Sequence, residues 1–208
     1  MKKLKFIIAR TMTEFDQYGL AYQKATKGEW NIDSNFLRNS HRVVYVVDSK
    51  NPDKILAGFV INVDCEKNCR YLSLLTEDTR KKCIDDLKML NIFLPDLVEC
   101  VAIFCNKELS LYDHLNVFVQ AIRMSKESGK KATLAGSYIP SFRASLHSVY
   151  HKDLFEGKAN NDKYFGLYVD YNNQVIQHLF TAIPLYLANK ISRQTSKVLT
   201  RIAMSLFF

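Results

Sequence analysis

The sequence has 208 residues, of which 48% are hydrophobic, 12% aromatic and 24% charged, with only seven glycines and four prolines. Those proportions exclude collagen-like, low-complexity and intrinsically disordered chains, and the length suits one domain with a real buried core. A formal charge of +8 favours anionic partners such as phosphates, nucleic acid or acidic lipid without choosing among them. In chain order, Leu4 to Ala9 reads as an opening strand. From Thr13 a capped helical pattern runs toward Lys27, with Gly28 behind it. Asn31 to His41 is polar and irregular. Arg42 to Asp48 and Ile55 to Val63 are β-branched apolar runs separated by the turn-rich Ser49 to Asp53, which predicts a hairpin. Tyr71 to Leu75 is expected to add a short strand. Glu77 to Leu90 is a helix whose Cys83, Ile84, Leu87 and Leu90 share one face.

Leu97 to Cys105 is a buried-looking strand, Leu111 to Ser128 an amphipathic helix ended by Gly129, and Ala132 to Ser137 a further strand, so that β-α-β order implies a parallel pair. Pro140 opens another helix, expected to run through Phe155, followed by a polar loop from Gly157 to Asp162 and a strand from Tyr164 to Asp170. Val175 to Leu187 is ambiguous between strand and helix. The pattern from Lys190 to Phe208 predicts a terminal helix. The predicted fold class is therefore α/β, a mixed central sheet of about six to seven strands flanked by helices. The main domain spans residues 1–174, and residues 175–208 form an extension packed on it or peripheral to it.

The cysteines Cys65, Cys69, Cys83, Cys100 and Cys105 are an odd set, read as reduced thiols of a cytoplasmic protein. Cys65 and Cys69 supply one edge of a metal site without a second ligand pair, and His147 and His151, four apart on a helix, lack a third ligand, so no metal is expected. The apolar run Phe6 to Ala9 is too short for a signal peptide, and no stretch reaches the roughly 18 apolar residues of a spanning helix. No acidic residue occurs from Tyr171 to Phe208, while Lys190, Arg193, Lys197 and Arg201 recur on one helical face opposite Ile191, Val198, Ile202 and Leu206. This basic amphipathic helix suits either docking on its own domain or attachment to an anionic membrane surface or a protein partner's groove. No nucleic-acid-binding module is evident, so nucleic acid is not an expected partner.

The order of elements from Lys3 to Tyr171 resembles the Gcn5-related N-acyltransferase superfamily. The segment Val98 to Phe155 carries the likeness, closing on Tyr150-His-Lys-Asp-Leu-Phe155, which is similar to the family's Tyr-x-x-x-Gly-Phe with Leu154 in place of glycine. The extra helix Glu77 to Leu90 further resembles the acyl-homoserine-lactone synthase branch. Two departures stand beside these agreements. Asn106 to His114 lacks the glycines with which the family cradles a pyrophosphate, and Glu99-Cys-Val-Ala102 keeps the acid of the synthases' Glu-x-Ser-Arg but not the arginine, so autoinducer synthesis is not expected.

The resemblance implies transfer of an acyl group from an acyl-CoA or acyl-carrier-protein thioester to an amine. Such chemistry needs a base for the attacking amine and an acid for the departing thiolate. Glu99, in an otherwise apolar strand, is the candidate base, and Tyr150 the candidate acid. The segment Phe104, Cys105, Asn106 and Lys107 would meet the thioester. Each has a plainer reading: Glu99 as a hydrogen-bonded structural acid, Tyr150 as a core aromatic. The competing function is an inactive relative that binds a membrane or protein through the basic tail.

Overall fold

In the computed structural model of the chain we describe residues 3–28, 31–175, 177 and 178, with side chains omitted at positions 141 and 145. The predicted basic helix from Lys190 to Phe208, and the Val175 to Leu187 segment beyond residue 178, lie outside the described residues.

Seven strands form one sheet in the order β1-β2-β3-β4-β5-β7-β6. β1 (Leu4–Ile8), β2 (Arg42–Asp48), β3 (Asn51–Asn62) and β4 (Leu97–Cys105) run antiparallel in succession, and β5 (Ala132–Ser137) lies parallel to β4. β7 (Tyr164–Tyr171) then pairs antiparallel with both β5 and the edge strand β6 (Lys152–Lys158). The parallel β4–β5 crossover is made by the long helix α6 (Leu111–Glu127), as a parallel connection requires.

The period of two along the central strands divides the core. Val43, Val60, Leu97 and Val101 join one cluster, with Tyr18 of α1 (Met12–Ala25) and Leu87 of α5 (Glu77–Met89). Their neighbours Val44, Phe59, Ile61, Val98 and Cys100 join another, with Val117 and Ala121 of α6. Continuous apolar runs thus read as central strands buried on both faces. Glu99 shares the parity of Leu97 and Val101, so the one acid of β4 faces the first cluster.

Three expectations are corrected. Residues 31–41 include a short helix, α2 (Ser34–Asn39), started by the Asp33 carboxylate accepting from the Asn35 amide. The predicted strand at Tyr71 to Leu75 is instead the helical turn α4 (Arg70–Ser73), preceded by α3 (Cys65–Asn68). β3 is already paired on both edges by β2 and β4, so no ladder partner remains for it there, and the Arg70 and Tyr71 amides donate to the Glu99 carboxylate. Finally, the helix opened by Pro140 stops earlier than expected. α7 (Pro140–Val149) ends as Tyr150 turns extended (φ −102°, ψ 130°), and residues 152–158 become β6 on the open edge of β7. The Tyr150 to Phe155 hexapeptide therefore straddles a helix end and an edge strand.

Candidate active site

β4 and β5 are registered only at Leu97↔Ala132, Val98↔Thr133 and Glu99↔Leu134. Beyond Glu99, β4 stays with β3 as far as Cys105, whereas β5 stays with β7 as far as Ser137. The strands part, and the opening between them is a cleft of about 560 Å³ walled largely by Tyr22, Phe104, Leu115, Phe118, Phe142 and Val149.

A bulge in β4 shapes one wall. Val101 pairs with Val60 and Phe104 with Gly58, so Ala102 and Ile103 together oppose Phe59. Ala102 sits at φ +52°, a left-handed conformation uncommon for alanine. It is held there by the fully buried Tyr18, whose hydroxyl donates to the Ala102 carbonyl at 2.7 Å. Tyr18 and Tyr22 both pack edge-on against Phe104, with centroids 5.6 and 6.0 Å apart. Burial pushes the Tyr18 hydroxyl far above the usual phenol range, so it stays a donor.

The opposite wall comes from β5, its following loop and α4. Gly136, Ser137 and Tyr138 line it with Arg70, Tyr71 and Phe165. Tyr138 and Tyr71 tilt against Phe165 at 4.8 and 5.8 Å, and the Tyr71 hydroxyl donates to the Cys100 carbonyl at 2.7 Å. Arg70 donates to the Asn31 carbonyl at 2.8 Å and lies over Phe36 at 5.4 Å.

Glu99 is fully buried directly behind this wall. Its Oε1 accepts from Cys69 Sγ at 3.1 Å and the Tyr71 amide at 2.7 Å; its Oε2 accepts from Asn62 Nδ2 at 2.8 Å and the Arg70 amide at 3.0 Å. Desolvation raises its pKa above the ordinary carboxyl value, against the lowering effect of these four donors. Glu99 does not itself line the cleft; it fixes two residues that do.

Of the other residues singled out from the sequence, Phe104 and Cys105 line the cleft. Burial drives the Cys105 thiol up to about 12, so little thiolate exists there at neutral pH. Asn106 and Lys107 stand outside the lining. Asn106 organises the loop instead: its amide donates to Leu56, its carbonyl accepts from Leu109 at 3.1 Å and lies 3.3 Å from His114 Nε2, and its Oδ1 accepts from the Glu108 amide. Tyr150 packs with Ile122, Ala135, Leu146 and Tyr168 in a third cluster that reaches the cleft through Val149, Phe118 and Phe142; Tyr150 itself does not line the cleft, and burial drives its pKa far up. Sequence reasoning missed Arg70, Tyr71, His114 and Tyr138. Tyr138 has a local signal in following β5 directly, and His114 lies in the first turn of α6, whereas the turn that presents Arg70 and Tyr71 is set by the distant Glu99.

The start of α6 carries an acid. Ser110 Oγ and Asp113 form a reciprocal cap, Asp113 Oδ2 accepting from the Ser110 amide at 3.1 Å and hydroxyl at 2.7 Å. A carboxylate thus occupies the helix terminus at which an anion is otherwise held by backbone amides.

Solved structures of known proteins share this fold. FeeM, an N-acyl amino acid synthase from uncultured soil microbes, superposes with a TM-score of 0.66 at 11% identity, over 88% of this chain and 98% of that one. The chain has the fold of the Gcn5-related N-acyltransferases. The acyl-homoserine-lactone synthase LasI gives 0.60 at 10% identity, covering 87% and 96% of the two chains. MesI, a CoA-dependent acyl-homoserine lactone synthase, gives 0.54 at 12% identity, covering 86% and 94%. No family model matches the sequence, and no curated protein does. Among the described residues of this acyltransferase fold, no helix is long and apolar enough to cross a membrane.

Proposed function

We propose that the protein is an N-acyltransferase that moves an acyl group from a thioester to an amine within the β4–β5 cleft. The observation that carries this reading is the parting of the two strands beside the Ala102 bulge, which opens a largely apolar slot into the sheet. The similarity to FeeM, LasI and MesI supports it at the level of fold. The amine lone pair attacks the thioester carbon, a C–N bond forms and the C–S bond breaks. Two groups lining the cleft suit the proton transfers. A carbonyl only accepts, so His114 Nε2 facing Asn106 carries the proton and Nδ1 holds the lone pair that takes the amine's proton. Tyr138, its pKa raised by burial against a hydrogen bond from Asn161, keeps its hydroxyl proton at neutral pH and delivers it to the leaving thiolate. Glu99 positions Arg70 and Tyr71, and Tyr150 packs in the cluster whose Val149, Phe118 and Phe142 wall the cleft.

The Asp113 carboxylate at the α6 terminus repels a pyrophosphate, which favours a phosphopantetheine thioester on a carrier protein over coenzyme A as donor. The test is thiol release from acyl-phosphopantetheine thioesters in the presence of a mixture of amines. Tyr138→Phe is expected to lower kcat by about 100-fold with KM little changed. Leu115→Trp, which fills the cleft from its partly exposed helix face, is expected to lower kcat/KM at least about tenfold. Thiol release untouched by both substitutions would move the reaction out of this cleft. No release with any amine would leave the alternative, a non-catalytic protein acting through Lys190, Arg193, Lys197 and Arg201 on an anionic membrane or a partner.

A further inference from the structure

At the end of β7 away from the cleft, three segments bring two imidazoles and a carboxylate together. His151 follows α7, Asp170 stands on β7 opposite Thr133 of β5, and His178 belongs to the helical residues 177 and 178 that follow the strand. His178 Nδ1 lies 3.0 Å from Asp170 Oδ2 and His151 Nδ1 lies 3.9 Å from the same oxygen. The two rings stack with centroids 3.6 Å apart and planes 10° from parallel. The Asp170 side chain is only 3% exposed, and it is fixed by the His151 amide donating to Oδ2 at 3.1 Å and the Tyr171 amide to Oδ1 at 2.7 Å.

We propose that His151, Asp170 and His178 form a binding site for a divalent transition-metal ion of the zinc class, with solvent completing its coordination. A tetrahedral ion with ligand bonds near 2.0–2.1 Å separates neighbouring ligand atoms by about 3.3 Å. The observed 3.0 and 3.9 Å from the Asp170 oxygen bracket that value, and all three ligand atoms lie within 4.8 Å of one another, so side-chain rotation alone can bring them to it. Both imidazoles present Nδ1 to the same carboxylate oxygen, and two imidazoles with one carboxylate suit zinc, cobalt, nickel and copper rather than magnesium or calcium. The buried aspartate, anchored by two backbone amides, is the preorganised member of the set. His151, with a side chain 65% exposed, is free to tilt out of the stack and aim its lone pair at the ion, and its exposure admits water to the remaining position. An ion here would clip the residues after β7 to the α7–β6 junction, outside the chemistry of the cleft.

A second cluster, Cys65, Cys69 and Glu99, also offers metal ligands, so the experiment must tell thiolate from imidazole. Full-length protein is titrated with Co²⁺, whose visible d–d bands report N/O ligation and whose near-ultraviolet charge transfer reports thiolate. The expected result is one equivalent bound with visible bands and no thiolate charge transfer. His151→Ala and His178→Ala should each weaken binding by about tenfold or more, while His147→Ala leaves it unchanged. His151 is mostly solvent-exposed, so the metal-free melting temperature of its variant should match the wild type, which separates ligand loss from misfolding. Binding that survives in the His151→Ala, His178→Ala double variant, or that gives thiolate charge transfer, or no binding at all, would overturn the proposal.

Discussion

Gly58→Ala is expected to unfold the protein at markedly lower urea concentration, with a loss of about 3 kcal/mol or more. A Cβ at this position would lie 2.5 Å from Tyr18 Cε2, 2.7 Å from the Val44 carbonyl oxygen and 3.1 Å from Phe104 Cε1. None of the three yields easily. Val44 is the backbone of the neighbouring β2, Phe104 is clamped between Tyr18 and Tyr22, and the Tyr18 ring is fully buried with its hydroxyl tied to Ala102. Moving Tyr18 breaks the hydrogen bond that holds the β4 bulge, so the added methyl reaches the cleft through one intermediate side chain. Thiol release should therefore fall together with stability. Gly19→Ala is the matched control, because beyond its own neighbouring residues and helix backbone nothing lies within 4 Å of its added Cβ and it stands inside α1. It should be neutral or stabilising by up to about 1 kcal/mol. Equal stability of the Gly58 variant and the wild type would mean that the Tyr18–Ala102–Phe104 packing is wrong.

Glu99→Gln carries the second large effect. Each carboxylate oxygen accepts from two donors, and an amide offers only one oxygen. Whichever way the glutamine turns, its NH₂ faces either the Tyr71 amide and Cys69 thiol or the Arg70 amide and Asn62, leaving two buried donors unsatisfied. The expected loss is about 2–4 kcal/mol, with a raised KM as the Arg70–Tyr71 turn loosens. The pH dependence has a definite sign. Desolvation raises the Glu99 pKa in the folded state, so the protonated native form is favoured, and the stability linked to it is complete below the unfolded value of about 4.3 and is lost as pH rises through the folded pKa. The stability difference between wild type and Glu99→Gln should therefore shrink as pH is raised from about 4.3. A difference that grows with pH would mean a lowered pKa and a carboxylate stabilised as the anion. The pH–rate profile separates two roles: a positioning Glu99 leaves its shape intact in the variant, whereas a proton-accepting Glu99 takes the acid limb away with it.

The elements read most readily from the sequence are those whose burial pattern is local. β2, β3 and β4 are apolar runs bounded by turn residues, and α5 and α6 carry one-sided apolar faces ended by Asn91 and Gly129, both at positive φ. The elements misread are those decided by distant partners. Tyr71 to Leu75 has strand composition, but β3 has no free edge to offer it and the Glu99 carboxylate supplies amide acceptors from 29 and 28 residues away. Lys152 to Phe155 continues the helical pattern opened by Pro140, but β7, formed later in the chain, presents an edge that residues 152–158 join instead. The site follows the same division. Glu99 was visible as an acid in an apolar strand, and Phe104 and Cys105 as the end of that strand, but which side of the wall Glu99 occupies depends on α3 and α4 folding over it. Likewise, His147 and His151 were adjacent on a helical wheel, yet the fold sends His147 to Asp153 and His151 to Asp170 and His178.

The central claim is that the parted strands β4 and β5 hold an acyl thioester. The most direct measurement is native mass spectrometry of the protein mixed with a panel of acyl carrier proteins and acyl-CoAs, since it needs no knowledge of the acceptor amine. The account predicts a mass shift with an acyl-carrier thioester, greater than with the matching acyl-CoA and weakened by Leu115→Trp. Absence of a shift across the whole panel, or a shift indifferent to that substitution, would contradict it.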